Sequence, residues 1–326
     1  MTISLPGVEL HTHLEGSVTP ERLIALAEKH GQTSLPASCL NSQGTAYVFD
    51  GFLDFLELFR KVTLLLKTPA DFHAVALDLG QTMHDDGVGY AEVSLSYGVM
   101  LKRGLDPQTI QQALHEAAHQ VFETHGVILR WLPDAVRQWG VDPGWRAFEE
   151  AARAGRRYGV VGFGLGGDET SGPARDFAPL FADVKSEGLG ISIHAGEIPA
   201  MGTFDAADSI RQAVEICGAQ RIGHGLAAVG DPQVMALLKA RNIFVELCPG
   251  SNVCTGALDQ YSDHPLQEFL AAEIPCGLNP DDRSLFGLSM QEELQQSREH
   301  LSLQDDQILM MNQWARQAAF DPDFRG

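Results

Sequence analysis

The chain has 326 residues, 44% of them apolar and 20% charged, a globular composition that excludes disorder, collagen and coiled coil. Its 23 Lys and Arg against 43 Asp and Glu leave a net charge of −20, a field that repels both nucleic acid and anionic membrane surfaces. Five cysteines without a C-x-x-C pair suit a reduced chain, and the N-terminus lacks a basic segment followed by a long apolar run, so a soluble, cytoplasmic protein is expected.

Taken in chain order, short apolar runs predict strands at 8–13, 90–95, 127–131, 160–165, 190–194, 221–224, 243–247 and 275–278. Amphipathic stretches between them predict helices at 20–30, 69–85, 107–124, 143–158, 177–185, 206–217 and 232–241. Many of these open on a proline in the first turn and several stop at a glycine, as helix ends do. Alternation of this kind predicts an α/β chain folded as one (β/α)8 domain, a TIM barrel over residues 1–326, in preference to an open doubly wound sheet. Two helical segments, 52–66 and 69–85, fall between the first two strands, where an insertion stands at the catalytic mouth and acts as a helical lid. Phe52, Phe55, Leu56 and Phe59 form an apolar stripe at i, i+3, i+4 and i+7 that either packs on the barrel or covers a ligand.

His11 and His13 in HTH lie two apart on the first strand, so both imidazoles project to one side, the beginning of a zinc site. By itself H-x-H is also compatible with two packed, hydrogen-bonded histidines. However, His194 ends a later strand in ISIHAGE, His224 ends another in RIGHG, and Asp281 and Asp282 follow the eighth in CGLNPDD. Histidines and acids at the C-terminal ends of several strands are what a barrel active site requires. Three neutral histidines and a carboxylate can hold Zn²⁺ with a position left for water, and the ion lowers that water's pKa from about 16 to about 7. Glu197, three residues after His194, is placed to give a proton to substrate, and His224 to act as base toward the water. The reaction class this predicts is metal-assisted hydrolysis.

The blocks HTHLEGSVTPE, GLGGDE, HAGE, RIGHG, CPGSNVCTG and LNPDD occur in the order of the adenosine/adenine deaminase family of the amidohydrolase superfamily, which the chain resembles over about residues 6–290. The resemblance implies a (β/α)8 barrel with one zinc ion per chain and hydrolytic loss of ammonia from the six-position of an aminopurine. By position it implies His11, His13, His194 and Asp281 as zinc ligands, with Asp281 also aligning the attacking water. It implies Glu197 as donor to purine N1, His224 as base, Asp282 on N7 and the Gly167 amide on N3. DFLELF, with Phe55, Leu56 and Phe59, resembles the family's hydrophobic lid over the base. Glu15 stands where members acting on adenosine usually carry Asp, as in members acting on adenine or on 6-aminodeoxyfutalosine. Pro280 replaces a hydroxyl residue, Arg283 stands where many members have Pro, and Gly250 replaces a bulkier residue, with room at the pocket wall the expectation. The substrate these readings imply is adenosine or a derivative such as 6-aminodeoxyfutalosine, with free adenine as the alternative.

Two competitors belong to other classes. His115-Glu116-Ala117-Ala118-His119 matches the H-E-x-x-H protease signature, but Ile110, Leu114, Ala117, Ala118 and Val121 form the apolar stripe of that helix and turn both histidines outward. A non-catalytic purine-binding module predicts a broken set of acid, base or ligands, and every position is filled. Cys248 and Cys254 read as packing residues, and Asp168 and Glu169 as a brace for the loop that positions Gly167.

Overall fold

A computed structural model describes residues 7–198, 202 and 204–325. All eight expected strands form: β1 (Gly7–His13), β2 (Val88–Leu95), β3 (Ile128–Val136), β4 (Gly162–Gly166), β5 (Gly190–Ala195), β6 (Arg221–His224), β7 (Phe244–Leu247) and β8 (Cys276–Leu278). They pair in parallel and in chain order, each beside the next, as right-handed β/α repeats require. β3 runs five residues past its expected end at 131 because Pro133 reads as a strand breaker. In the barrel Pro133 falls where β3 passes from its pairing with β2, which ends at Leu95–Pro133, to its pairing with β4, which starts at Asp134–Gly164.

The sheet closes between β8 and β1 through one backbone bond, from the His13 amide to the Asp281 carbonyl at 3.3 Å, and through side chains. Asn279 Oδ1 accepts from the Leu10 and His11 amides at 2.8 and 3.0 Å, and Thr12 Oγ1 donates to the Asp281 carbonyl at 3.0 Å. Pro280, which has no N–H to offer, therefore sits in a seam whose bonds its two neighbours carry.

The surrounding helices are α1 (Pro20–Lys29), α2 (Gly51–Thr63), α3 (Pro69–Asp85), α4 (Tyr97–Lys102), α5 (Pro107–His125), α6 (Val141–Ala154), α7 (Ala178–Ser186), α8 (Ala206–Arg211), α9 (Pro232–Arg241), α10 (Pro249–Cys254), α11 (Leu266–Ala271), α12 (Arg283–Phe286), α13 (Met290–Leu301), α14 (Asp305–Ala318) and α15 (Pro322–Arg325). α1, α5 and α9 each start on a Thr or Asp whose side chain accepts a first-turn amide, followed by proline. The stretch expected as one helix at 206–217 is α8 continued by a π-helical turn at Gln212–Ile216. The expectation that 52–66 and 69–85 both belong to an insertion is corrected for the second. α3 is a helix of the outer ring, packed so closely on α5 that a Cβ at Gly80 would stand 2.4 Å from Val121. α1 and α2 stand between β1 and this ring helix.

A charged network runs inside the barrel. The fully buried Arg221 meets Glu92 at 2.6 Å and Glu246 at 2.7 Å, and Glu92 Oε1 accepts from Tyr90 Oη and the Phe320 amide. Each buried charge is thus paired, which is the condition for tolerating it there.

Candidate active site

β1, β5, β6 and the residues after β8 bring the chemistry to one end of the barrel. His13 and His224 are the last residues of their strands; β5–β6 pairing sets His194 beside Gly223, and His224, with φ at 62°, leaves the strand alternation and places its ring 5.4 Å from that of His194. The ring centres of His11 lie 4.5 Å from His194, 5.0 Å from His224 and 5.5 Å from His13. Donor atoms of His11, His13 and His194 all lie within 4.8 Å of one another. Asp281, held with φ at 65° in the left-handed region, puts Oδ1 3.4 Å from His11 Nε2 and 3.2 Å from His13 Nε2, while Ser251 Oγ donates to its Oδ2 at 2.7 Å.

This arrangement fits a cation on the structure's own terms. His11 Nε2 and Asp281 Oδ1 are buried without a hydrogen-bond partner, a costly state unless an ion completes them. Burial pulls the His11 imidazole down, but the Asp281 and Glu246 carboxylates outweigh it and lift it to about 10; Asp282 and Asp281 lift His13 to about 9. His194, buried beside His11 and His13, is pushed well below the ordinary histidine value. Positive charge is therefore wanted at this point, and a metal ion supplies it in place of protons. Glu246 Oε2 stands 2.6 Å from His11 Nδ1, the partner that fixes the ring so that Nε2 faces the cluster. Cys248 lies near His11, His224 and Asp281, but burial pushes its thiol well up and its Sγ donates to the Glu246 carbonyl at 3.6 Å, so it packs as expected.

The expected acid and base stand against this cluster. His224 Nε2 is 3.7 Å from Glu197 Oε2 and 3.9 Å from Asp281 Oδ2. Burial, with the charges of Asp281 and Glu169, raises Glu197 to about 8, so its carboxyl holds a proton at neutral pH. Burial lowers His224 to about 3, so its imidazole is neutral. Asn252 Nδ2 meets His224 Nδ1 at 3.1 Å while its Oδ1 has no partner. Turning that amide lets Nδ1–H donate to Oδ1 and leaves Nε2 as the acceptor a base needs.

A cavity of about 480 Å³ opens beside these groups, lined by His13, His194, Glu197, His224, Asp281 and Asp282 at its floor. Phe52, Phe55, Leu56 and Phe59 of α2 also line it, so the stripe faces the cavity; Phe55 packs 4.9 Å from Phe286 while Leu56 is 38% exposed. Asp282 is raised to about 8 by burial and the Asp281 charge, and its Oδ1 is unpartnered. Gly16 makes room for it, since a Cβ there would stand 1.8 Å from Asp282 Oδ1. Gly167 lines the cavity with φ at 92°, and a side chain would strike Gln138.

Glu15 is buried and is not among the residues lining the cavity; the Ser96 amide donates to one oxygen at 3.1 Å and the other makes no hydrogen bond. Gly250 leaves no extra room: a Cβ there would meet Leu288, Glu293 and Tyr261 at 2.5–2.7 Å, because the buried Glu293 carboxylate fills that space. Arg283 is a structural tie, fully buried between Glu9 and Asp86. Glu169 does not brace the Gly167 loop; it binds the loop after β5 instead. His115 and His119 lie on α5, with the His119 side chain 69% exposed beside Glu123, outside the active-site cavity. Asp134, at the C-terminal end of β3, lines the cavity and is raised to about 8 by burial. It was missed with Glu246, although an acid at the end of a barrel strand was the signal that found Asp281.

A family profile described as adenosine deaminase matches residues 6–325. An aminodeoxyfutalosine deaminase of Acidothermus cellulolyticus is 37% identical over 295 residues, covering 89% of this chain and 81% of that one. An adenine deaminase of Mesorhizobium japonicum is 34% identical over 313 residues, 96% of this chain and 93% of its own. The crystal structure of an adenine deaminase from Arthrobacter aurescens matches with a TM-score of 0.86 at 25% identity, over 98% of this chain and 95% of that one. With a profile match over nearly its whole length and relatives of this identity, the chain belongs to the adenosine deaminase family of hydrolytic deaminases.

Proposed function

We propose that the chain is a zinc-dependent aminohydrolase that converts a 6-aminopurine nucleoside, adenosine or a ribose-extended derivative such as 6-aminodeoxyfutalosine, to the 6-oxo product and ammonia. The observation that carries this reading is the Glu197 carboxyl facing the His224 imidazole at 3.7 Å, with burial raising the pKa of the first and lowering that of the second, beside His13, His194 and the unpartnered His11 Nε2 and Asp281 Oδ1. His11, His13, His194 and Asp281 would hold the ion; three imidazole nitrogens and a carboxylate oxygen suit Zn²⁺. When bound, such an ion supplies Lewis-acid charge that makes a water acidic near neutral pH.

The protein's own groups do the rest. His224 Nε2 accepts the proton that leaves the attacking water, and Glu197 delivers its proton to ring N1 as C6 becomes tetrahedral. Asp282, carrying a proton, donates to N7, and the Gly167 amide contacts N3, so the ring is oriented before attack. The phenylalanines of α2 cover the base and keep bulk water off the reacting edge.

Two features favour a nucleoside over the free base, which the similarity to adenine deaminases alone would also permit. The same cavity is also lined by Val99, Lys102, Arg103 and Trp139. Among the described residues Lys102 and Arg103 pair with no carboxylate: Lys102 Nζ rests 4.0 Å over the Trp139 ring and Arg103 holds the carbonyls of Thr63 and Leu64. A ribose and a negatively charged extension meet these groups, whereas adenine leaves them empty. Ultraviolet-monitored deamination of adenosine, 2′-deoxyadenosine, adenine and 6-aminodeoxyfutalosine tests this. The expected order has a nucleoside first and the extended one highest; adenine as the best substrate contradicts it.

A further inference from the structure

The carboxyl that delivers a proton at Glu197 sits on the loop that leaves β5, and a loop residue is precise only where its backbone is tied down. Three successive amides of that loop converge on one side chain from the neighbouring strand-end loop. Glu169 Oε2 accepts from Gly196 N at 2.9 Å, and its Oε1 accepts from Glu197 N and Ile198 N, both at 2.8 Å. Ser209 Oγ on α8 donates to Oε2 at 2.8 Å. Both oxygens act only as acceptors, the pattern of an ionised carboxylate with its lone pairs filled. Glu169 is 4% exposed, so water does not compete for these bonds.

The surroundings close off other positions for the loop. Gly196 has φ at 72°, and a Cβ there would stand 2.6 Å from Ile210. Arg137, fully buried, donates to the His194 carbonyl just before the loop and to Gly172 O beyond Glu169. The proposed ligand His194, the proton donor Glu197 and the brace thus share one hydrogen-bonded unit across β4, β5 and α8. Asp168, by contrast, spends its carboxylate on its own turn, accepting from Thr170 and Ser171.

We propose that Glu169 is a positioning residue for catalysis, whose carboxylate fixes the 196–198 backbone and so sets where the Glu197 carboxyl meets the substrate. This rests on the reading of Glu197 as the proton donor. Glu169→Gln keeps the size of the side chain but turns one acceptor into a donor facing backbone amides. Because small misplacements of a reacting group cost rate more than binding, kcat falls about 10- to 100-fold while KM stays within about threefold and bound zinc per chain is unchanged.

The test is a double-mutant cycle with Glu197→Gln, followed by adenosine deamination by zinc-loaded protein, with 6-aminodeoxyfutalosine as second substrate. If Glu169 acts through Glu197, its penalty vanishes in the Glu197→Gln background, the double variant lying within about threefold of the single one. Amide hydrogen exchange at 196–198 rises in Glu169→Gln, with or without zinc, and not in Glu197→Gln. A Glu169→Gln kcat within threefold of wild type, or its full penalty repeated in the Glu197→Gln background, overturns the proposal and leaves the Glu197 assignment standing. A Glu197→Gln variant with near-normal kcat overturns both. Should Glu169→Gln not fold, Ser209→Ala carries the same cycle, since it loosens Oε2 alone: a severalfold loss confined to the Glu197 background supports the brace, and no loss overturns it.

Discussion

The protonation of Glu197 decides the pH behaviour. Burial beside Asp281 and Glu169 raises it to about 8; with Glu197 as the proposed proton donor, turnover is expected to fall as pH rises through about 8. His224 sits near 3 and stays neutral above that, so it adds no limb near the ordinary histidine range. Glu197→Gln is expected to keep its zinc and its fold, lose about 10²- to 10⁴-fold in kcat, and lose the alkaline limb, as a pH–rate profile would show. Glu246 governs the ion rather than the proton. Glu246→Gln weakens the bond that orients His11 and leaves Arg221 less well paired, and zinc affinity measured by competition with a chelator is expected to drop about 10- to 100-fold. The histidines and Asp281 were legible because polar residues at the ends of apolar strands have few other reasons to be there. Glu246 was not, because its partners His11, Ser192 and Arg221 come from other strands far away in sequence, and Asp134 was not, because it lies beyond the expected end of β3. Gly250 misled because a glycine in the sequence does not say what fills the space beside it, here Glu293 and Tyr261.

At the scale of elements, strands and helix starts were legible from local rules, while the division between insertion and barrel was not. α2 and α3 both follow β1 as helices, and it is packing on α5 that makes α3 part of the ring. Its first turn is held by Asp71, which accepts from the Lys67 and Thr68 amides and meets Lys29 and His30. Burial opposes the Asp71 charge, but these partners outweigh it and depress the carboxyl to about 2. A depressed carboxyl stabilises the fold above its unfolded value near 3.9, and that stability is lost as pH falls through about 2. Asp71→Ala is expected to cost about 1–2 kcal/mol in denaturant unfolding at neutral pH. The β8–β1 seam makes a second element-scale prediction. Asn279→Ala strips the acceptor from the Leu10 and His11 amides and disturbs the strand that carries His11 and His13, so stability and zinc retention fall together. A variant with lowered melting temperature and unchanged zinc content would show that the seam does not position the ligands.

For the whole molecule, the barrel brings His11, His194, His224 and Asp281, four residues spread over 270 positions of sequence, to within one side chain of one another. No helix among the described residues is long and apolar enough to cross a membrane, and the net charge of −20 repels polyanions. Lys102 and Arg103, which line the cavity, stand out against that global charge and are the groups proposed to meet a negative group on the substrate. The central claim is that the His11, His13, His194 and Asp281 cluster holds the ion on which deamination depends. Its most direct test is ammonia release from adenosine and 6-aminodeoxyfutalosine by chelator-stripped protein, by the same protein refilled with one equivalent of zinc, and by a refilled His194→Ala variant. Activity absent in the stripped protein, restored at one zinc per chain and lost with His194→Ala is the predicted result. Undiminished turnover by the stripped protein, or by the variant, would contradict it.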